Sequence, residues 1–205
     1  MLTALAAAAA GVLTGVVVDR PPSPEVAVVG PAVAAGVDRS ARSRDGAVAA
    51  AVAYATMLGR LFPLGRAAAE QAAADAASAA YRPALVAAVD RQLVPLQRQA
   101  SRLPGSTVYR QSVLATRLES YTAERARVSV WVLATVAQAG GPAGARLNPL
   151  ASFATFALDL VWERAAWRLN GTGQRPGPTP LLDGQPQQVG DFDSALDGFT
   201  DWRPA

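Results

Sequence analysis

The sequence predicts an α+β domain in which N-terminal helices pack on an antiparallel sheet, and three observations carry that prediction. Apolar residues recur at helical spacing from about Ala47 to Leu96. After Pro104-Gly105 the period changes to two, as in half-buried strands. Pro and Gly then punctuate the chain between these runs, at Pro63, Gly65, Pro83 and the GGPAGARLNP stretch.

The elements follow in order. Asp45 is a candidate N-cap for a helix in which Val48, Val52, Met57, Leu58 and Leu61 share one face. Pro63 and Gly65 end it, and a second, Ala-rich helix is expected from Arg66 to about Ala80. Pro83 suits the first turn of a third helix running through Leu85, Val89, Leu93 and Leu96, with a kink at Pro95.

Strands come next. Tyr109 to Tyr121 alternates, with Leu114, Thr116 and Leu118 on one side and Val113, Ala115 and Arg117 on the other. In Ala126 to Val136 the pattern is clearer, Val128, Val130, Val132 and Val136 opposing Arg127, Ser129, Trp131 and Thr135. The short TAER connection makes these two strands hairpin neighbours. From Ala151 onward, Phe156, Leu158, Leu160 and Trp162 alternate with Thr155, Asp159 and Glu163; Glu163 to Ala166 turns the chain, and Trp167-Arg168-Leu169 returns as a short strand.

Flanking segments surround this domain of residues 46–170. Leu2 to Val18 is an uncharged run of about the minimum length for a membrane span, without the basic residues that normally precede a signal peptide or anchor. Three readings stay open for it: an uncleaved anchor, a cleaved signal peptide, or a soluble start. The first two place the domain outside the cytoplasmic membrane. Residues 19–45, rich in Pro and Ala, read as a linker, and residues 171–205 as a Pro/Gly-rich and then acidic-aromatic tail.

Composition removes several chemistries. The 205 residues include no Cys and no His, so thiol nucleophiles, thiolate metal sites, disulfides and the commonest general base are all missing. All 19 basic residues are Arg, scattered without a dense stripe, and the net charge is +3, which gives no footprint for nucleic acid. No phosphate-cradling loop follows a strand, because Gly171-Thr172-Gly173 leads into Gln-Arg-Pro. No cofactor, metal site or small-molecule substrate is expected.

The stretch Leu160-Val161-Trp162-Glu163-Arg164-Ala165-Ala166-Trp167-Arg168-Leu169 resembles the L-x-W-x-x-G-x-W-R-hydrophobic final hairpin of nuclear transport factor 2-like (SnoaL-like, cystatin-like) proteins, with Ala165 or Ala166 where that motif has its turn glycine. The resemblance implies a cone-shaped fold, its helices packed on a curved antiparallel sheet. Together with the hydrophobic start, the Pro-rich spacer, the helix from Ala47 to Leu61 and the strand Ala126 to Trp131, the chain is similar to TcpC-like conjugative transfer and type IV secretion assembly proteins. That similarity implies a membrane-anchored, extracytoplasmic scaffold that self-associates, contacts other transfer or secretion proteins and has no catalytic residues.

Some cone-fold relatives are enzymes that use a buried Asp beside a Tyr, which directs attention to Asp159, Asp90, Tyr54, Tyr109 and Tyr121. Asp159 is the alternative general base, in a SnoaL-like enzyme or ligand binder; its ordinary reading is a solvent-facing or salt-bridged strand residue. Trp131, Trp162 and Trp167 read as structural aromatics in preference to a ligand-stacking platform. Asp191, Asp193, Asp197 and Asp201 lack the spacing of a calcium loop and read as a solvated acidic tail. In that tail Phe192, Leu196, Phe199 and Trp202 would form one apolar, partner-binding stripe on a helix, although Gly198 disfavours a helix there; the ordinary reading is a disordered end or one packed on its own domain.

Overall fold

The apolar periodicities resolve, in a computed structural model that describes residues 40–100, 106–139, 150–179 and 196–201, into helices followed by an open antiparallel sheet. The helices are α1 (Arg44–Arg60), α2 (Arg66–Ala76), α3 (Arg82–Ala88) and α4 (Val94–Ala100), the last two joined by a π-helical turn, Val89–Leu93. The strands are β1 (Ser106–Tyr121), β2 (Arg125–Ala139), β3 (Leu150–Glu163), β4 (Ala166–Pro176) and the two-residue β5 (Thr200–Asp201). Their order in the sheet is β4-β3-β2-β1-β5, every pairing antiparallel. The α+β class is therefore as the sequence predicts, and the four long strands form an up-and-down meander. Leu2 to Val18 and most of the 19–45 linker lie outside the described residues; among those described, no helix is long and apolar enough to cross a membrane.

The start of α1 differs from expectation. Ser43, not Asp45, is the N-cap: its Oγ accepts from Gly46 N at 3.0 Å, while Asp45 sits in the first turn, where a carboxylate favours the helix dipole. Of the predicted face, Val52, Leu58 and Leu61 are buried, but the closest-packed residues are smaller ones. Ala47, Ala51 and Ala55 are each fully buried, and Gly59 continues the same four-residue spacing, whereas the larger Val48 and Met57 are only partly buried. Such a stripe of small residues brings the helix close to β1. Gln111 of β1 donates from Nε2 to the Ala55 carbonyl at 2.7 Å, which requires that close approach.

Helix α2 ends at Ala76, four residues before the expected stop. Ala77 leaves the helix to bridge Leu169, and Ser78 N donates to the Leu169 carbonyl at 2.7 Å. Ser78 is buried, and its Oγ donates to Asn170 Oδ1 while accepting from Tyr81 N. A tertiary contact thus overrides an Ala-rich helical preference. Where a kink at Pro95 was expected, the helix carries the π turn Val89–Leu93. Val94 N bonds to the Val89 carbonyl, five residues back, which widens the helix just before a proline that lacks an N–H and crowds the preceding turn.

In β2 and β3 the period of two holds. Val128, Val130 and Val132 are fully buried, and their partners Leu158, Phe156 and Ala154 lie on the same face, toward the helices. Strand β1 breaks its own alternation. The register slips between Val113 and Ala115 and again between Leu118 and Ser120, so Leu114 and Glu119 are bulge residues. Val113, Thr116 and Leu118 consequently pair with Val132, Val130 and Val128 on the helix face. A uniform alternation had assigned Leu114 to that set and Val113 to the other.

The final hairpin is tighter and longer than expected. Arg164 and Ala165 turn the chain with φ of 54° and 56°, both left-handed, in a two-residue connection between Glu163 and Ala166. Two consecutive positive φ values match the mirror-image turn whose twist suits a β-hairpin, a site normally held by Asn-Gly. Ala165→Gly should relieve the left-handed penalty and stabilise the domain by about 1 kcal/mol, raising the midpoint of thermal unfolding by about 2–4 °C. An unchanged or lower midpoint would contradict the turn geometry. Beyond the turn, β4 continues to Pro176, so the strand extends past the expected boundary at residue 170. Its Gly and Thr residues suggested a linker, but β3 continues far enough to supply a pairing partner.

Candidate functional site

Two faces of the sheet carry different chemistry. On the helix side, Phe156, Leu158, Leu160, Trp167 and Leu169 are buried against α1 and α2 in one apolar cluster. The indole Nε1 of Trp167 donates to the Ala41 carbonyl at 3.0 Å, and its own carbonyl accepts from the Tyr54 hydroxyl at 2.6 Å. Trp162 lies directly across the hairpin, edge-on to Trp167 with centroids 5.3 Å apart, and Tyr121 is tilted against Trp167 at 6.0 Å. Trp167 is 1% exposed, while Trp162 is only partly buried.

The opposite face carries a polar ladder. Glu119, displaced by the second bulge, accepts from Ser129 Oγ and pairs with Arg117 at 3.1 Å and with Arg127 at 3.2 Å. Arg127 reaches on to Asp159 at 3.5 Å. The Ser129 hydrogen bond, helped by the two guanidiniums, holds the Glu119 carboxyl below its usual range, against the opposing effect of burial. Beside this ladder Trp131 stacks on Phe153 at 5.8 Å. A side chain on Gly177 would come within 2.9 Å of Trp131 and of the Ala154 backbone, so a glycine is required where the chain crosses there.

Asp159 therefore lies on this open face, because Leu158 and Leu160 on either side of it point to the helices. It is half exposed and ion-paired with Arg127, and the sheet separates it from Tyr54, whose hydroxyl is engaged by Trp167. The pair that an Asp–Tyr cavity needs is not brought together. Asp90 pairs with Arg66 at 2.8 Å on the helical surface. Tyr109 donates to Gln111 Oε1, and burial pushes its hydroxyl up to about 12. Tyr121 donates to the Arg42 carbonyl.

In the tail, Phe192 and Trp202 lie outside the described residues. Leu196 and Phe199 are described, and they are not on a helix. Leu196 opens a turn closed by Phe199 N to the Leu196 carbonyl, Gly198 has φ of 74°, and Thr200–Asp201 then pairs with Thr116 and Ala115 of β1. The free edge of β1 offers backbone groups that an extended chain can satisfy, and Gly198 supplies the left-handed residue that ends any helical turn. Phe199 packs beneath Arg117, whose guanidinium carbon is 4.9 Å from the ring centroid, and Arg117 Nη1 donates to the Asp197 carbonyl at 3.1 Å. Sequence reading missed Arg117 because nothing in the strand pattern locates the bulge that gathers these groups.

No protein-family model matches the chain, and no curated protein matches it in sequence. Solved structures with a similar backbone trace include two at low sequence identity. One is the intermembrane space region of the chloroplast protein ARC6, at 12% identity and a TM-score of 0.39, covering 67% of this chain and 97% of that one. The other is an IcmL-like type IV secretion system protein from Legionella pneumophila, at 13% identity and a TM-score of 0.46, covering 68% of this chain and 97% of that one.

Proposed function

We propose that this chain is a non-catalytic scaffold subunit of a conjugation or type IV secretion-like apparatus, tethered by Leu2 to Val18 to the cytoplasmic membrane with its α+β domain outside the cytoplasm. The observation that carries the non-catalytic part is the filling of the space between helices and sheet by Val128, Val130, Leu158, Leu160 and Trp167, with Asp159 turned to the other face. Filling of that space leaves no enclosed site beside Asp159, which supports a role carried by the surface. The resemblance of the final hairpin and the anchor-plus-spacer organisation supports the secretion role and self-association. Bulges at Leu114 and Glu119 increase local twist, which favours the cone-like curvature that the same resemblance implies.

The topological part is tested by adding protease to intact protoplasts that express the full chain. Degradation of the folded domain, with the chain in the membrane fraction, is the expected result. Full protection of a cytosolic, soluble chain would overturn both the anchoring and the secretion role.

A further inference from the structure

The far edge of β1 is where the sheet meets something other than a full strand. Among the described residues, only Ala115 and Thr116 of this sixteen-residue strand are paired there, with Asp201 and Thr200. Among the described residues, the Leu196–Asp201 segment is held to β1 by two residues of ladder, one exposed hydrogen bond from Arg117 and one guanidinium over Phe199. A short edge strand held this way is a low-stability element that opens easily. Its binding mode is nevertheless specific, because backbone pairing supplies register and a cation–π contact selects the aromatic side chain.

We infer that the β1 edge beside Arg117 is a strand-addition site for an extended acidic peptide carrying an aromatic residue, and that the chain's own Leu196–Asp201 segment occupies it as an internal pseudo-ligand. Gly198 shows what such a ligand needs before its aromatic residue. A side chain there would come within 3.1 Å of Arg117 Cδ, and φ of 74° folds Phe199 back under the guanidinium. Charge agrees with this choice. Strand register puts Arg110, Arg125 and Arg175 on the same face as Arg117 and Arg127, outnumbering Glu119, Asp159 and Glu163, while Phe199 is flanked by Asp197 and Asp201. Nineteen residues separate Pro176 from Leu196, so the internal segment competes at an effective concentration on the order of millimolar and screens the site from weak ligands.

The inference does not depend on membrane anchoring: the topology experiment can fail while this one succeeds, and the reverse. The probe is a fluorescent peptide with the sequence of residues 191–202, DFDSALDGFTDW, titrated into the full chain. Phe199→Ala loosens the internal segment and leaves Arg117 and β1 intact, so the peptide should bind that variant at least tenfold more tightly than the parent. Thr200→Pro, which removes a backbone donor from the segment, should have the same effect. Adding Arg117→Gln to Phe199→Ala should abolish most of the gain, with circular dichroism showing that the variant still folds. Equal binding to parent and Phe199→Ala, or binding indifferent to Arg117→Gln, would overturn the assignment. So would a parent dimer that Phe199→Ala dissociates, since the occupant would then be the segment of a second copy.

Discussion

Trp167→Ala should cost about 3–5 kcal/mol, the largest loss from any single aromatic truncation in the domain. The indole is 1% exposed, surrounded by Trp162, Tyr121 and α1, and truncation leaves both a cavity and the Ala41 carbonyl without its donor. A loss of that size is a large share of what a domain of this kind can spare, so the variant should be mostly unfolded or melt far below the parent. Trp162→Ala should cost less, because its ring is partly exposed and shares the edge of the cluster with Arg42, whose guanidinium carbon is 5.8 Å from the ring centroid. Thermal unfolding of the full chain ranks the two. A Trp167→Ala protein that melts with the parent, or one less affected than Trp162→Ala, would refute this ordering.

Gly59→Ala should destabilise the domain by about 1–3 kcal/mol, although Gly→Ala inside an exposed helix ordinarily stabilises it by about 1 kcal/mol. An added Cβ would lie 2.8 Å from Cβ, Cδ and Oε1 of Gln111. Gln111 cannot swing away without cost, since its amide donates to Ala55 and its carbonyl accepts from Tyr109. In a double-mutant cycle, Gln111→Ala should recover part of the loss, because two of the three close contacts then vanish. A Gly59→Ala variant more stable than its parent would mean that α1 and β1 are not packed at this distance.

These two sites also mark where the sequence was readable. Val128, Val130 and Val132, with Phe156 and Leu158 on β3, were assigned to one face as found, because strict alternation over a half-buried strand leaves one solution. The face of α1 was only partly assigned: Val52, Leu58 and Leu61 are buried as expected, but the alanine stripe that makes the closest contact was not singled out. Hydrophobic spacing favours large residues such as Met57, while the contact itself is made by the smallest ones, which a periodicity of apolarity does not distinguish from filler. In β1 each bulge reverses the parity, and one inserted residue leaves no compositional trace. Of the candidate site, Asp159 and the aromatic residues were visible as types. The Arg117–Glu119–Arg127 ladder depends on which strands are neighbours and on where β1 slips, so it became legible only with the register.

The hydrogen bonds from Tyr54 to the Trp167 carbonyl and from the Trp167 indole to the Ala41 carbonyl have a consequence for synthesis on the ribosome. They join the beginning of the folded domain to its last long hairpin, across 113 and 126 residues of chain. The meander can assemble strand by strand as it emerges, since each long strand pairs with its sequence neighbour. The buried alanine stripe of α1 has no such local partner: its first cover is β1, whose Gln111 lies 56 residues beyond Ala55, so until β1 emerges it is an apolar surface without a cover. In that interval α1 is the part of the domain that a device shielding nascent chains would cover.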